Sequence, residues 1–181
     1  MVRIDPVLAD SAPAASHPLL LAVQKKLGRT PNLMRTLAHA PVALRGYLEL
    51  SATLAEGAFD AAERERIALA VAEANGCDYC LAAHTALGKL AGLPAAEITQ
   101  ARLGTSANSK QAALVSLARA LAVQRGQVTP AQLQAFRAAG WSDAHVMELI
   151  ANVALNTLTN YVNHVAGTEV DFPAAPQLRS A

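Results

Sequence analysis

The stretch Asn75-Gly76-Cys77-Asp78-Tyr79-Cys80-Leu81-Ala82-Ala83-His84 decides how this sequence is read. Asn-Gly is a strong helix breaker, so it separates two helical patterns. Ile67, Ala70, Val71 and Ala74 form one narrow small-residue face before it, and Cys80, Ala83, His84, Leu87 and Leu90 recur after it. The cysteines therefore fall in the first turn of the second helix. They are the chain's only two, and two cysteines scattered at random over this length would stand three apart only about one time in a hundred. At that spacing two sulfurs on one helical turn can close a small disulfide ring, and the turn's unpaired amides stabilise a thiolate. His84 follows Cys80 by four residues on the same helical face, where its imidazole can hold or pass the sulfur's proton. Cys80 reads as the attacking thiolate, and Cys77 as the sulfur that displaces its sulfenic acid to form a disulfide.

Outward from this stretch every segment reads as helix, and no alternation of apolar and polar residues competes. Towards the N-terminus, Asp60 and Glu63 predict a capping box for the helix that ends at Asn75-Gly76. Pro41 opens a helix carrying Leu44, Leu48 and Leu54 that runs to Gly57, and Thr30-Pro31 predicts a cap and first-turn proline for a short helix. Leu19, Leu20, Val23 and Leu27 form another that stops at Gly28. Towards the C-terminus come a short helix over 94–103, the stripe Leu114, Leu117 and Leu121, and a capped helix from Thr129-Pro130-Ala131-Gln132 to Gly140. Ser142 then caps a long helix whose Val146, Leu149, Ile150, Val153, Leu158, Tyr161, Val162 and Val165 predict one broad buried face. Prolines mark residues 1–18 as a loose arm and 171–181 as an extended tail, leaving 19–170 as one helical domain.

Composition agrees. Of 181 residues 52% are apolar but only 4% aromatic, which suits close-packed helices. Fifteen basic and fourteen acidic residues are scattered for a net charge of +1, which excludes the basic footprint of a nucleic-acid binder. Residues 1–17, with Asp5, Pro6, Asp10 and Pro13, lack the unbroken apolar core of a signal peptide and no apolar run reaches the length of a membrane span, so a cytoplasmic protein without membrane contact is expected. A reducing compartment keeps two such thiols free unless chemistry oxidises them, which argues against a structural disulfide scaffold.

The quoted stretch, together with Arg64-Glu65-Arg66-Ile67-Ala68-Leu69-Ala70-Val71, resembles the carboxymuconolactone decarboxylase/AhpD superfamily. Thr30-Pro31-Asn32-Leu33 and Asn160-Tyr161-Val162-Asn163-His164-Val165-Ala166-Gly167-Thr168-Glu169 resemble its peroxidase-related branch, so the likeness spans roughly residues 20–173. It implies an all-α AhpD-like bundle, a symmetric homo-oligomer, and a proton relay in which Glu65, twelve residues before Cys77, serves Cys80, Cys77 and His84. Glu73 is the alternative carboxylate. Where the AhpD enzyme has a second histidine between its cysteines, this chain has Asp78 and Tyr79.

The function expected is reduction of hydrogen peroxide or an organic hydroperoxide, with an external dithiol or thioredoxin-like protein restoring the cysteines and no metal, haem or flavin called for. Two readings compete with it: a cofactor-free lactone decarboxylase using Glu65 and His84 without redox, and a non-catalytic redox-sensing oligomer. A zinc site of Cys77, Cys80 and His84 with His145 or His164 is disfavoured, because structural zinc prefers a second paired set of ligands. His17, His39 and His145 read as packing or surface residues, while His164, beside Asn163 at the end of the long helix, is left open between lining the pocket and a subunit contact. The long helix from Ser142 carries more apolar surface than a small domain hides, which also points to self-association.

Overall fold

Local chemistry sets most of the helix boundaries in the computed structural model, which describes residues 1–178; the last three residues of the expected tail lie outside the described residues. In chain order the helices are α1 (His17–Leu27), α2 (Asn32–Leu37), α3 (Pro41–Ala55), α4 (Ala61–Ala74), α5 (Asp78–Leu90), α6 (Ala95–Arg102), α7 (Ser109–Val123), α8 (Pro130–Ala138) and α9 (Asp143–Ala166). Two short 3-10 turns precede them and no strand occurs among the described residues, so the fold is all-α as expected. The boxes at Asp60/Glu63 and Thr129/Gln132 form as predicted, and Ser142 gains a third with His145, whose ring also packs edge-on against Trp141 and Phe59. At α2 the prediction fails by one residue. Pro31 occupies the cap itself, and the Thr30 hydroxyl donates instead to Gln24 Oε1 at 3.1 Å.

The narrow face predicted for α4 is also too small. Ile67, Ala68, Leu69, Ala70, Val71 and Ala72 are all buried, because α5, α6, α7 and α9 surround this helix and its small side chains let them come close. Most of the core lies on its α7 side, where Phe59, Ile67, Leu69, Leu114, Leu117, Phe136, Trp141 and Leu149 pack together. A second cluster on the opposite side joins the N-terminal segment and α1 to α3 with Cys77, Tyr79 and Cys80 of α5.

α9 requires the largest correction. Val146, Leu149 and Val153 are buried as expected, but past them the inward seam is Asn152, Asn156, Thr159, Asn160 and Asn163. Ile150, Leu158, Tyr161 and Val165 face outwards together with Met147, forming an exposed apolar stripe. The reason is local: the seam leaves the apolar core and runs behind the cysteines, where polar side chains find partners.

The arm and tail pack against the helical body. Val7, Ala12 and Ser16 are buried, and Arg3 N–H donates to Ala166 O at 2.7 Å. His17 and His39 each donate to backbone carbonyls of the arm, at Ala12 (2.9 Å) and Asp5 (2.8 Å). In the tail, Asp171 and Phe172 close over α2 and α5.

A central, fully enclosed α4 makes its leucine sensitive. Leu69→Ala should lower stability by about 2–5 kcal/mol, read as a fall in the urea midpoint, whereas Val123→Ala at the exposed end of α7 should stay within about 0.5 kcal/mol.

Candidate active site

Gly76 makes the turn between α4 and α5, with a φ of +65° that side-chain-bearing residues adopt only under strain. Cys77 follows as the cap of α5, and its Sγ accepts from the Cys80 N–H at 3.3 Å. Their Cα atoms are 5.3 Å apart and the sulfurs are joined as a disulfide. The spacing argument thus meets its geometric condition: the two sulfurs reach each other on the first turn of a helix.

Both cysteines are only 2% exposed, and each lines a different opening. Cys80 lies on a cavity of about 580 Å3, enclosed by α1 to α5, α9 and the tail, while Cys77 lies on a separate cleft. Leu27, Met34, Leu48, Leu54, Leu87 and Phe172 give the cavity an apolar wall. Its polar residues include Glu65, His84, Tyr47, Asn156 and Thr159 alongside Cys80, and Lys26, Arg29 and Arg64 also line it.

Glu65 and His84 meet. The imidazole Nδ1–H donates to Glu65 Oε2 at 2.8 Å, with each side chain about one-fifth exposed, 19% for Glu65 and 20% for His84. Glu73 is committed elsewhere. It accepts from Arg102 Nε at 2.8 Å, and that buried guanidinium also donates to the Pro176 carbonyl at 2.6 Å. Of the two candidate carboxylates, Glu65 is therefore the one joined to the histidine. Tyr47 stands on α3 beside this pair; burial, and secondarily the Glu65 charge, push its phenol up to about 12. It remains a neutral hydroxyl at any ordinary pH.

Tyr79, between the cysteines, is clamped. Its hydroxyl donates to Asp171 Oδ1 at 2.7 Å and accepts from the Leu33 N–H at 3.2 Å, and its ring meets Phe172 edge-on. Asp171 also accepts from the Asn32 N–H at 3.0 Å and pairs with Arg29. Burial raises the Tyr79 phenol well above its ordinary value; the Leu33 amide opposes this and the Asp171 carboxylate reinforces it.

Sequence reading missed Asn163, which carries the strongest side-chain contact to the sulfurs. From α9 its Nδ2 reaches Cys80 Sγ at 3.3 Å and Cys77 Sγ at 4.0 Å. The signal available was the helical spacing of Asn152, Asn156, Asn160 and Asn163, a row of polar residues on one face. His164 donates to the Asn75 carbonyl at 3.0 Å on the side of the second cleft. His145, against Trp141, belongs to the far core, and no three metal-ligating side chains converge among the described residues.

Comparison with known proteins fits this geometry. Residues 41–122, which span Glu65, Cys77, Cys80 and His84, match the carboxymuconolactone decarboxylase family. No curated protein matches the chain. Among solved structures, an alkylhydroperoxidase AhpD core, peroxidase-related protein from Ralstonia eutropha JMP134 is similar at 26% identity, with 94% of each chain covered and a TM-score of 0.82. A peroxidase-related protein from Silicibacter sp. TM1040 shares 22% identity over 92% of each chain, with a TM-score of 0.77. The debrominase Bmp8, solved as a cysteine-to-alanine variant with 2,3,4-tribromopyrrole, shares the fold at 18% identity and a TM-score of 0.80 over 94% of this chain and 92% of its own. Over residues 41–122 the chain is thus similar to the carboxymuconolactone decarboxylase family, and its helical architecture is similar to that of the AhpD core protein.

Proposed function

We propose that the protein is a cytoplasmic thiol peroxidase that cycles Cys77 and Cys80 between dithiol and disulfide. The observation that carries this reading is the position of Cys80 on the same cavity as the hydrogen-bonded Glu65 and His84. In the reduced protein the Cys80 thiolate, near the start of α5 and beside the Asn163 amide, attacks the terminal oxygen of a hydroperoxide. The O–O bond breaks, the sulfur becomes a sulfenic acid, and the departing alkoxide takes a proton from His84, which Glu65 holds in orientation. Cys77 then attacks the Cys80 sulfur, the disulfide forms, and hydroxide leaves as water once protonated. An external dithiol restores both thiols. The largely apolar wall of the cavity favours an organic hydroperoxide over hydrogen peroxide itself.

Cys80→Ser should abolish turnover, while Cys77→Ser should leave a sulfenic acid that dimedone traps after one equivalent of cumene hydroperoxide. Persistence of both thiols in folded, peroxide-treated protein would sink the mechanism. Activity on a lactone substrate surviving in the double serine variant would transfer the site to proton-transfer chemistry instead.

The relay has its own test. Glu65→Gln should slow peroxide-dependent oxidation of Cys80 roughly 10²-fold with little change in thermal midpoint, and the rate measured by rapid mixing decides it. An unchanged rate would remove Glu65 from the chemistry.

We also infer a homo-oligomer assembled through the α9 stripe of Met147, Ile150, Leu158, Tyr161 and Val165, an apolar row that water covers poorly. Light scattering should give at least a dimer for the native chain and a monomer for Met147→Glu/Tyr161→Glu; a native monomer at micromolar concentration would refute the assignment.

A further inference from the structure

The Cys77–Cys80 bond separates two openings that share a single lining residue, Tyr79. Cys80 lines the large cavity. Cys77 lines a cleft of about 520 Å3 bounded by Gly76, Asp78, Asn163, His164 and Thr168, with Arg3 of the N-terminal segment across from them. Arg3 is held there by its bonds to the last turn of α9, at Ala166 O (2.7 Å) and Val165 O (3.0 Å). The second space is the more polar of the two, with Arg3, Asp78, Asn163, His164 and Thr168 on it, although apolar surface is the larger share of both.

Two buried polar atoms belong to residues of this cleft and have no partner among the described residues, Asn163 Oδ1 and Thr168 Oγ1. Asn163 is 5% exposed and Thr168 8%, so leaving them unbonded is unfavourable unless a ligand supplies donors or acceptors. Asn163 thus faces both ways chemically. Its Nδ2 serves the sulfurs, and its buried Oδ1 has no partner among the described residues.

The geometry points to this cleft as the binding site of the reductant, a polar external dithiol that attacks Cys77 Sγ while the large cavity serves the peroxide. The inference rests on the peroxidase reading for the existence of the cycle. Attack on a disulfide proceeds along the S–S axis with the leaving sulfur on the far side, and an approach to Cys77 from the cleft has Cys80 behind it. The Asn163 amide lies closer to Cys80 than to Cys77, 3.3 Å against 4.0 Å, and stabilises the thiolate left on Cys80 as the bond breaks.

The electrons balance without another reagent. The first thiol, losing its proton, forms a bond to Cys77 as the Cys77–Cys80 bond breaks and its electron pair stays on Cys80. The second thiol of the same molecule, also losing a proton, attacks its own partner sulfur, closes an intramolecular disulfide and releases Cys77. The two protons end on the two cysteines, and the dithiol is oxidised by two electrons.

The test starts from protein oxidised with diamide, so that it does not require peroxide activity. Brief exposure to 2-mercaptoethanol, an acid quench, alkylation with N-ethylmaleimide and peptide mapping should place the mercaptoethanol adduct on Cys77 and the maleimide on Cys80. Adducts on Cys80, or on both equally, overturn the assignment. In a second arm, Val170→Trp at the rim of the cleft should slow reduction by dithiothreitol roughly tenfold while the folded variant's oxidation by cumene hydroperoxide keeps its rate. Leu48→Trp in the large cavity should show the reverse pattern. Equal slowing of both half-reactions by either variant would refute two separate entrances, and failure of peroxide to oxidise the native protein would count against the peroxidase reading alone.

Discussion

A helix enclosed on every side cannot leave a charge without a partner, and that constraint on α4 organises the rest of the molecule. Burying an unpaired carboxylate or guanidinium costs several kcal/mol. The buried run 67–72 is therefore purely apolar, and charge is confined to the ends of the helix, where neighbouring elements can answer it. Glu63 accepts from Gln111 of α7, Arg66 from the other side meets Glu97 of α6, and Glu73 holds the buried Arg102. Glu65 is answered by a histidine instead, His84 of α5, and this difference turns one of four packing contacts into a site that can exchange protons. Chemistry and packing thus use the same device, a charge at a helix end matched from the next helix.

α9 follows a complementary rule. Over its first half it contributes Val146, Leu149 and Val153 to the apolar core; over its second half the inward positions change to asparagine and threonine. Several of these satisfy themselves along the helix, as Asn156 does by donating to the Asn152 carbonyl at 2.8 Å and Thr159 to that of Asn156 at 2.8 Å. Asn160 instead accepts from Asn75 at 2.7 Å, which ties α9 to the turn that places Cys77. A row of leucines here would pack the bundle equally well, but it would surround the sulfurs with hydrocarbon, which raises a thiol's pKa and suppresses the thiolate.

The parts legible in the sequence are those written within one turn of chain. The Cys77, Cys80 and His84 spacing, the Asp60 and Thr129 boxes and the Asn-Gly break act through neighbours three or four residues away, and each appears where expected. The Glu65–His84 contact joins two consecutive helices, and resemblance to a family supplied it. Asn163 was hidden because it reaches the sulfurs from 83 residues beyond Cys80, and because asparagine in a helix ordinarily signals solvent. The face of α9 was misread for the same reason. Apolar residues at 158, 161 and 165 suggest burial by their chemistry, yet they lie outside while the asparagines lie within. A hydrophobic pattern locates a core; it does not locate a buried polar site, nor an apolar row turned outward.

Tyr79 shows why residues near the chain's end matter to a site near its middle. It forms the partition between the two openings, and a partition must not swing or ionise. Its hydroxyl is held on one side by the Leu33 amide and on the other by Asp171, while Asp171 is in turn fixed by Asn32 and Arg29, and Phe172 lies against the ring with the Arg29 guanidinium over its own face. Burial and the adjoining carboxylate both oppose loss of the phenolic proton, so no phenolate competes with the sulfurs for the positive ends of nearby dipoles. The two residues between the cysteines divide their tasks: Asp78 is exposed at the second cleft, and Tyr79 supplies a neutral wall. What remains to tune the sulfurs is the start of α5, whose Cys80 N–H bonds Cys77 Sγ, and one asparagine, whose amide lies closer to Cys80.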